Sequence, residues 1–322
     1  YQLLACDGSN LTIAPNLNDP ETLWKSNQLG ATGNHLHLNA LYDVLNRTYI
    51  DALVQTASTY QEHRACIQMI ERVTLDKVIL IADRGYENYN IMSHAIEKGW
   101  KFLIRIKDVH SNGIASGLEL PQTAVFDMDI NLILTRNQTK SKKQAGYKFM
   151  PTVQTFDYLP IGSKEDYPIS FRIARFKIAD DSYETVITNL DRFCFSAEKL
   201  KELYHLRWGI ETSFRELKYA IGLTSFHAKK VDYIKQEIFA RLTLYNYCEL
   251  ITTYVVEHTE NISKKNQVNF TIAIYICREY LRRKRKLRPP DVVKLIEKHI
   301  LPIRPGRRDP VSYTHLRAHE TV

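Results

Sequence analysis

Three acids stand out by their surroundings. Asp7 closes a short, mostly apolar run at residues 2–6, and Asp83 closes a second run, Val-Ile-Leu-Ile-Ala, at residues 78–82. Both runs read as strands, so each aspartate is expected at a strand end, where open α/β sheets collect their chemistry. Taken singly, either aspartate also reads as the start of a turn. The third acid, Glu211, lies in LYHLRWGIETSFRELKYAIGL with Tyr204, Arg207 and Lys218. On one continuous helix, steps of three, seven and fourteen residues set all four within roughly 60° of one another. That face would carry an acid flanked by two cations and a phenol. As an ordinary exposed face it would hold little more than an i,i+4 ion pair, Arg207–Glu211.

Three converging carboxylates can hold two divalent ions, with water and a phosphate oxygen completing the site. One ion would activate an attacking hydroxyl and the other would stabilise a leaving 3′ oxygen, as in-line phosphoryl displacement requires. Oxygen donors without Cys or His suit Mg²⁺ or Mn²⁺ better than zinc.

The elements that must position these residues follow an α/β order. Residues 35–44 alternate as a strand, 56–72 have helical spacing with Ala65, Met69 and Ile70 on one side, 89–98 read as a helix ending near Gly99, and 101–106 as a strand. From 111 to 190 short β-rich runs alternate with polar turns, which reads as an inserted subdomain. Residues 196–220 are expected to form one helix that begins at Ser196 with Glu198 in its first turn. The expected organisation is a core at 1–110 and 191–250, a β-rich insertion at 111–190, a helical basic region at 251–308 and a non-native tail at 309–322.

The 322 residues carry 44% apolar and 25% charged side chains, ordinary for a soluble globular protein. No apolar run approaches the length of a membrane span, and no signal peptide is recognisable. The five cysteines form no CxxC pair, so reduced cytoplasmic thiols are expected rather than structural zinc or disulfides. The net charge of +8 leans towards a polyanionic partner. Residues 281–308 hold eleven Lys or Arg against Asp291 and Glu297, a net +9, so the rest is near neutral. That run reads either as a solvated helix end or as a phosphate-contacting segment with salt-sensitive affinity.

The spacing Tyr-x2-Arg-x3-Glu-x6-Lys at Tyr204, Arg207, Glu211 and Lys218 resembles the YREK signature of bacterial insertion-sequence DDE transposases, family four of that classification. Ala82-Asp83-Arg84-Gly85-Tyr86 is similar to that family's second acidic block and Asp7-Gly8-Ser9 to its first. Residues 37–43 and 102–105 are similar to its sheet segments, and the resemblance covers about residues 1–250. It implies an α/β, RNase H-like mixed-sheet core with a β-rich insertion before the Glu-bearing helix. It further implies that Asp7, Asp83 and Glu211 are the catalytic, metal-binding triad for two Mg²⁺ ions, with Mn²⁺ substituting. Tyr204, Arg207 and Lys218 would hold transposon-end phosphates. Arg84, Arg105 and Arg215 would be further DNA contacts, or structural and rim residues.

The implied activity is metal-dependent cleavage at transposon ends followed by strand transfer. The implied partner is double-stranded DNA, both transposon ends and target, bound by a homodimer in the bacterial cytoplasm and nucleoid. Two other readings stay open: an RNase H-like nuclease without strand transfer, and a non-catalytic DNA-binding remnant that relies on the basic segment. Such proteins usually carry an N-terminal end-recognition region, and this chain begins at Tyr1 six residues before Asp7, so it reads as a fragment. Residues 311–321 resemble a translated sequencing adapter, and His315 and His319 are therefore not taken as metal ligands.

Overall fold

The computed structural model describes residues 1–25, 32–109, 111–180, 182–258, 266–284 and 288–302. It forms two units, Tyr1–Leu242 and Thr243–Val322. In the first, β1 (Gln2–Ile13) pairs antiparallel with β3 (Thr32–Asp43), which also carries the short β2 (Leu23–Lys25) and β4 (Thr48–Thr56). On its other side β1 runs parallel to β5 (Val78–Ala82), and β5 parallel to β6 (Lys101–Arg105). All five residues of β5 are buried, as in a strand covered on both faces. Full burial of Ile79, Leu80 and Ile81 is worth about 1.5–3 kcal/mol each.

The sheet then continues through β10 (Ser182–Thr188), β9 (Asp166–Ala179), β7 (Phe126–Thr135) and β8 (Lys148–Phe149), ten strands in all among the described residues. The β-rich stretch therefore extends the sheet of the N-terminal strands. The join is the antiparallel pairing of Val186 with Arg105.

Helices cover both faces. On one lie α1 (Glu62–Arg72), which buries Ala65, Cys66, Met69 and Ile70, and α2 (Tyr89–Glu97), whose first turn is capped by the Asn88 side chain. The α2 chain leaves its helix at Gly99, φ +75°, as its position after the last apolar repeat leads one to expect. Helix α1 begins at Glu62 and not near 56, because the β-branched and aromatic residues of 48–56 pair as β4. A five-residue α3 (Lys140–Gln144) sits between β7 and β8.

The opposite face carries α4 (Ala197–His205), capped by Ser196 as expected, and α5 (Trp208–Glu216), followed by a π-helical turn at Leu217–Ile221. The single helix expected over 196–220 is thus broken. Leu206, Arg207, Gly209 and Ile210 donate to carbonyls three residues back, so the chain tightens between α4 and α5. Gly209 adds a residue of low helix propensity there, and Arg207 turns inward to burial.

The unit boundary falls within α6 (Val231–His258). The second unit contains α7 (Phe270–Arg282), α8 (Val292–Glu297) and a two-stranded pair, β11 (Asn266–Val268) with β12 (Ile300–Pro302). Among the described residues no helix is long and apolar enough to cross a membrane. Parts of the basic segment 281–308 and the whole tail from 309 lie outside the described residues.

Candidate active site

Strand periodicity assembles one layer of charged groups. Leu3, Ile79, Ile81, Leu103 and Val186 face α4 together with Leu200 and Tyr204. Side chains alternate between faces, so at the carboxyl ends of β1, β5 and β6 that face presents Asp7 (after Ala5), Asp83 and Arg105, and on antiparallel β10 Glu184. β1 does not end at Asp7 as expected. Its antiparallel ladder with β3 carries the backbone on through Gly8↔Asn39 to Ile13↔Asn34. Its parallel ladder with β5, however, ends at Cys6↔Ala82, which leaves Asp7 and Asp83 side by side just past it. Asp83 then caps the short 3₁₀ turn Arg84–Tyr86 by accepting from the Gly85 amide at 2.8 Å.

The α4–α5 junction closes over this layer. Arg207 is 4% exposed, and its guanidinium lies 2.7 Å from Glu211 Oε1 and 3.8 Å from Asp7 Oδ2. It also stands 5.0 Å from the Trp208 ring and 5.7 Å from the Tyr204 ring. Burial works against its charge, but Tyr204, Glu211 and Asp7 more than offset that and raise its pKa further. Asp7 is pushed up to about 7, by burial first and by Asp83 and Glu211; Arg207 and the Gly8 amide pull the other way. The Tyr204 hydroxyl, in a residue 3% exposed, has no hydrogen-bond partner, nor does Arg207 Nε. Burial pushes Tyr204 up to about 12, so the phenol stays a donor at neutral pH.

The structure thus brings Asp7, Asp83, Tyr204, Arg207 and Glu211 together. The one-face helix geometry expected for Tyr204, Arg207, Glu211 and Lys218 is replaced by three pieces: Tyr204 on α4, Glu211 on α5 and Lys218 on the π-helical turn. Lys218 is half-buried, and burial lowers its pKa. Arg84 and Arg215 are exposed. Arg105 belongs to the layer, but its guanidinium is engaged by Glu184 at 3.2 Å. Glu184 was not legible in the sequence: it is one polar position in the alternating strand Ser-Tyr-Glu-Thr-Val-Ile-Thr. Burial raises its pKa, against Arg105, Arg207, Lys201 and His205. Among the described residues no three His, Cys, Asp or Glu side chains are gathered into a ready metal cage.

Residues 1–247 match the family described as Transposase DDE domain. The chain belongs to that family. This DDE-domain chain is 23% identical, over 178 residues, to a probable transposase for insertion sequence element IS5377 from Geobacillus stearothermophilus. The alignment takes in 54% of the chain and 40% of that relative, so the chain spans about two fifths of the protein it matches. Among solved structures it is similar to a piggyBac transposase synaptic complex with hairpin DNA, at 10% identity and a TM-score of 0.49. That match covers 100% of this chain and 62% of the other.

A second feature of the DDE domain escaped the sequence reading. At Gly8 an added Cβ would collide with His37 Nε2 and lie 2.9 Å from Glu62 Oε1. The glycine after Asp7 is therefore there for close approach and not for a turn, and only the pairing partner's identity could have revealed it.

Proposed function

We propose that this chain is the catalytic core of a DNA transposase of the YREK-signature group, in which Asp7, Asp83 and Glu211 hold two divalent ions for cleavage at transposon ends and strand transfer. The carrying observation is the Arg207 guanidinium lodged between Asp7 and Glu211, with Asp83 beside Asp7 at the end of the parallel ladder. Asp7 and Glu211 share one buried cation with Asp83 beside them, and burial first, then the neighbouring Asp83 and Glu211, pushes Asp7 up to about 7. That is a site short of positive charge, and its donors are all carboxylate oxygens, so the set fits Mg²⁺ or Mn²⁺. Such ions, when bound, activate the attacking hydroxyl and neutralise the leaving oxygen.

The chain's own residues do the remainder. Arg207 holds Glu211 by a charge-assisted bond and stands ready to take a phosphate oxygen in exchange. The unpartnered Tyr204 hydroxyl donates to a neighbouring phosphate, and Lys218 contributes a further cation. Arg84 and Arg215 offer exposed charge to the DNA backbone, whereas Arg105 acts mainly through its pair with Glu184. Antiparallel β4, β3 and β1 joined to parallel β5 and β6 support the RNase H-like reading of the core, with 111–190 as an insertion that widens its sheet. Double-stranded DNA is the partner, and a homodimer in the bacterial cytoplasm would pair two transposon ends.

Asp7→Ala, Asp83→Ala and Glu211→Ala are each expected to abolish cleavage of a transposon-end duplex while its binding in a gel-shift assay survives. Cleavage that persists in any one of them at ordinary Mg²⁺ removes that residue from the triad.

A further inference from the structure

Helix α5 carries Glu211 and is loosely tied at both ends. The three-residue hydrogen bonds at its start separate it from α4, and a π-helical turn follows it. Nine residues are too few for a helix to hold itself in water, so its orientation is set by what it lies on. It lies on β1 and meets side chains of the β3–β4 hairpin. Gly209 faces Val44 and the Tyr42 ring, where an added Cβ would meet its nearest atoms at 3.7–3.8 Å. The Phe214 ring stands 6.2 Å from that of Tyr49, and Arg47 pairs with Glu216 at 3.5 Å.

Within this contact is a buried relay. The hydroxyls of Tyr49 and Ser213 are 2.7 Å apart, across 164 residues of sequence, and Ser213 Oγ lies 2.7 Å from the Ile210 carbonyl. The carbonyl can only accept, so Ser213 uses its one proton there and Tyr49 must donate to Ser213. The carbonyl that ends the relay belongs to the peptide unit joining Ile210 to Glu211. Of the Tyr49 side chain only the hydroxyl is polar, and its ring is packed by Tyr42 at 5.0 Å and by Phe214. A phenylalanine would fill this space without the cost of burying a hydroxyl.

We propose that Tyr49 is a positioning residue: its relay through Ser213 to the Ile210 carbonyl sets the rotation of α5 on the sheet, and with it the reach of Glu211 towards Asp7 and Asp83. The inference rests on the proposed role of Glu211. Its geometry is independent of that role and can be read without it. Tyr49→Phe keeps the ring and Ser213→Ala keeps the helix, so each removes one link and leaves the fold.

The experiment is amide hydrogen exchange of residues 208–216 in the full chain, with single-turnover nicking of supercoiled plasmid under Mg²⁺ and the plasmid's Kd measured on the same preparations. In Tyr49→Phe the α5 amides are expected to exchange about fivefold faster, the equivalent of one ordinary hydrogen bond, while those of α1 and α2 are unchanged. The cleavage rate is expected to fall about tenfold with Kd held within about twofold, as for a misplaced catalytic group. Ser213→Ala should match it, and the double variant should be no slower than the worse single one. Unchanged α5 exchange in Tyr49→Phe overturns the latch, whether or not the chain cleaves DNA. Equal losses in rate and affinity overturn it too, since they mark a general weakening. If the unsubstituted chain does not cleave but α5 exchange responds, the latch stands and the triad reading fails.

Discussion

At Gly8 the absence of a side chain lets the His37 ring lie over the strand, with Nδ1 2.7 Å from Asn10 Oδ1 and Nε2 3.0 Å from Glu62 Oε1. Gly8→Ala is expected to cost about 1–3 kcal/mol, because His37 is 4% exposed and cannot swing away. Thermal melts of Gly8→Ala with and without His37→Ala check this: the glycine change should cost much less where the ring is already gone. Equal costs in both backgrounds would place the strain elsewhere. At this scale charge is legible in a sequence and space is not. Asp7, Asp83 and Glu211 announce themselves by ending apolar runs or by sitting among cations. The closeness of Gly8 to His37, and of Glu184 to Arg105, exists only once strands far apart in sequence have paired.

At the scale of elements, the helix over 196–220 was legible in its Ser196 start and not in its break. Apolar periodicity continues through the junction, because Tyr204, Ile210 and Phe214 are buried on either side of it; only the hydrogen-bond pattern changes. The 111–190 stretch was legible as β-rich, but its strands' membership of the N-terminal sheet depends on the long-range pairing of β10 with β6, which no local pattern encodes. A loop in this stretch is held to α2 by Asp157, which accepts from Asn90 at 2.9 Å and lies 3.0 Å from His94 Nε2. Burial opposes its charge, and the bonds from Asn90 and His94 outweigh that and lower its pKa. A carboxylate with a lowered folded-state pKa stabilises above its unfolded value, near 3.8, and loses that contribution as pH falls through the folded value. Asp157→Asn should therefore melt lower than the parent at pH 7, with the gap closing in titrations below about pH 4. The gap is expected to be small, since the group is half-exposed, and a gap that widens in acid would contradict the assignment.

Across the whole molecule, one sheet brings together residues from β1, β5, β6 and β10, and the α4–α5 junction supplies the rest from more than a hundred residues beyond Asp7 and Asp83. The division of labour follows from that order: the strands fix two aspartates rigidly at the end of a parallel ladder, and a short separate helix brings the glutamate. Composition pointed to a polyanion, and the family membership of residues 1–247 is in keeping with the proposal that DNA is that partner. The role proposed for these acids is metal-dependent phosphoryl transfer. It is tested most directly by incubating the chain with supercoiled plasmid under Mg²⁺, Mn²⁺, or excess chelator, and following the nicked form. Nicking that requires the metal and disappears in Glu211→Ala is the predicted result. DNA binding that falls steeply with salt, with no nicking under either metal on plasmid or on transposon-end duplex, would contradict it.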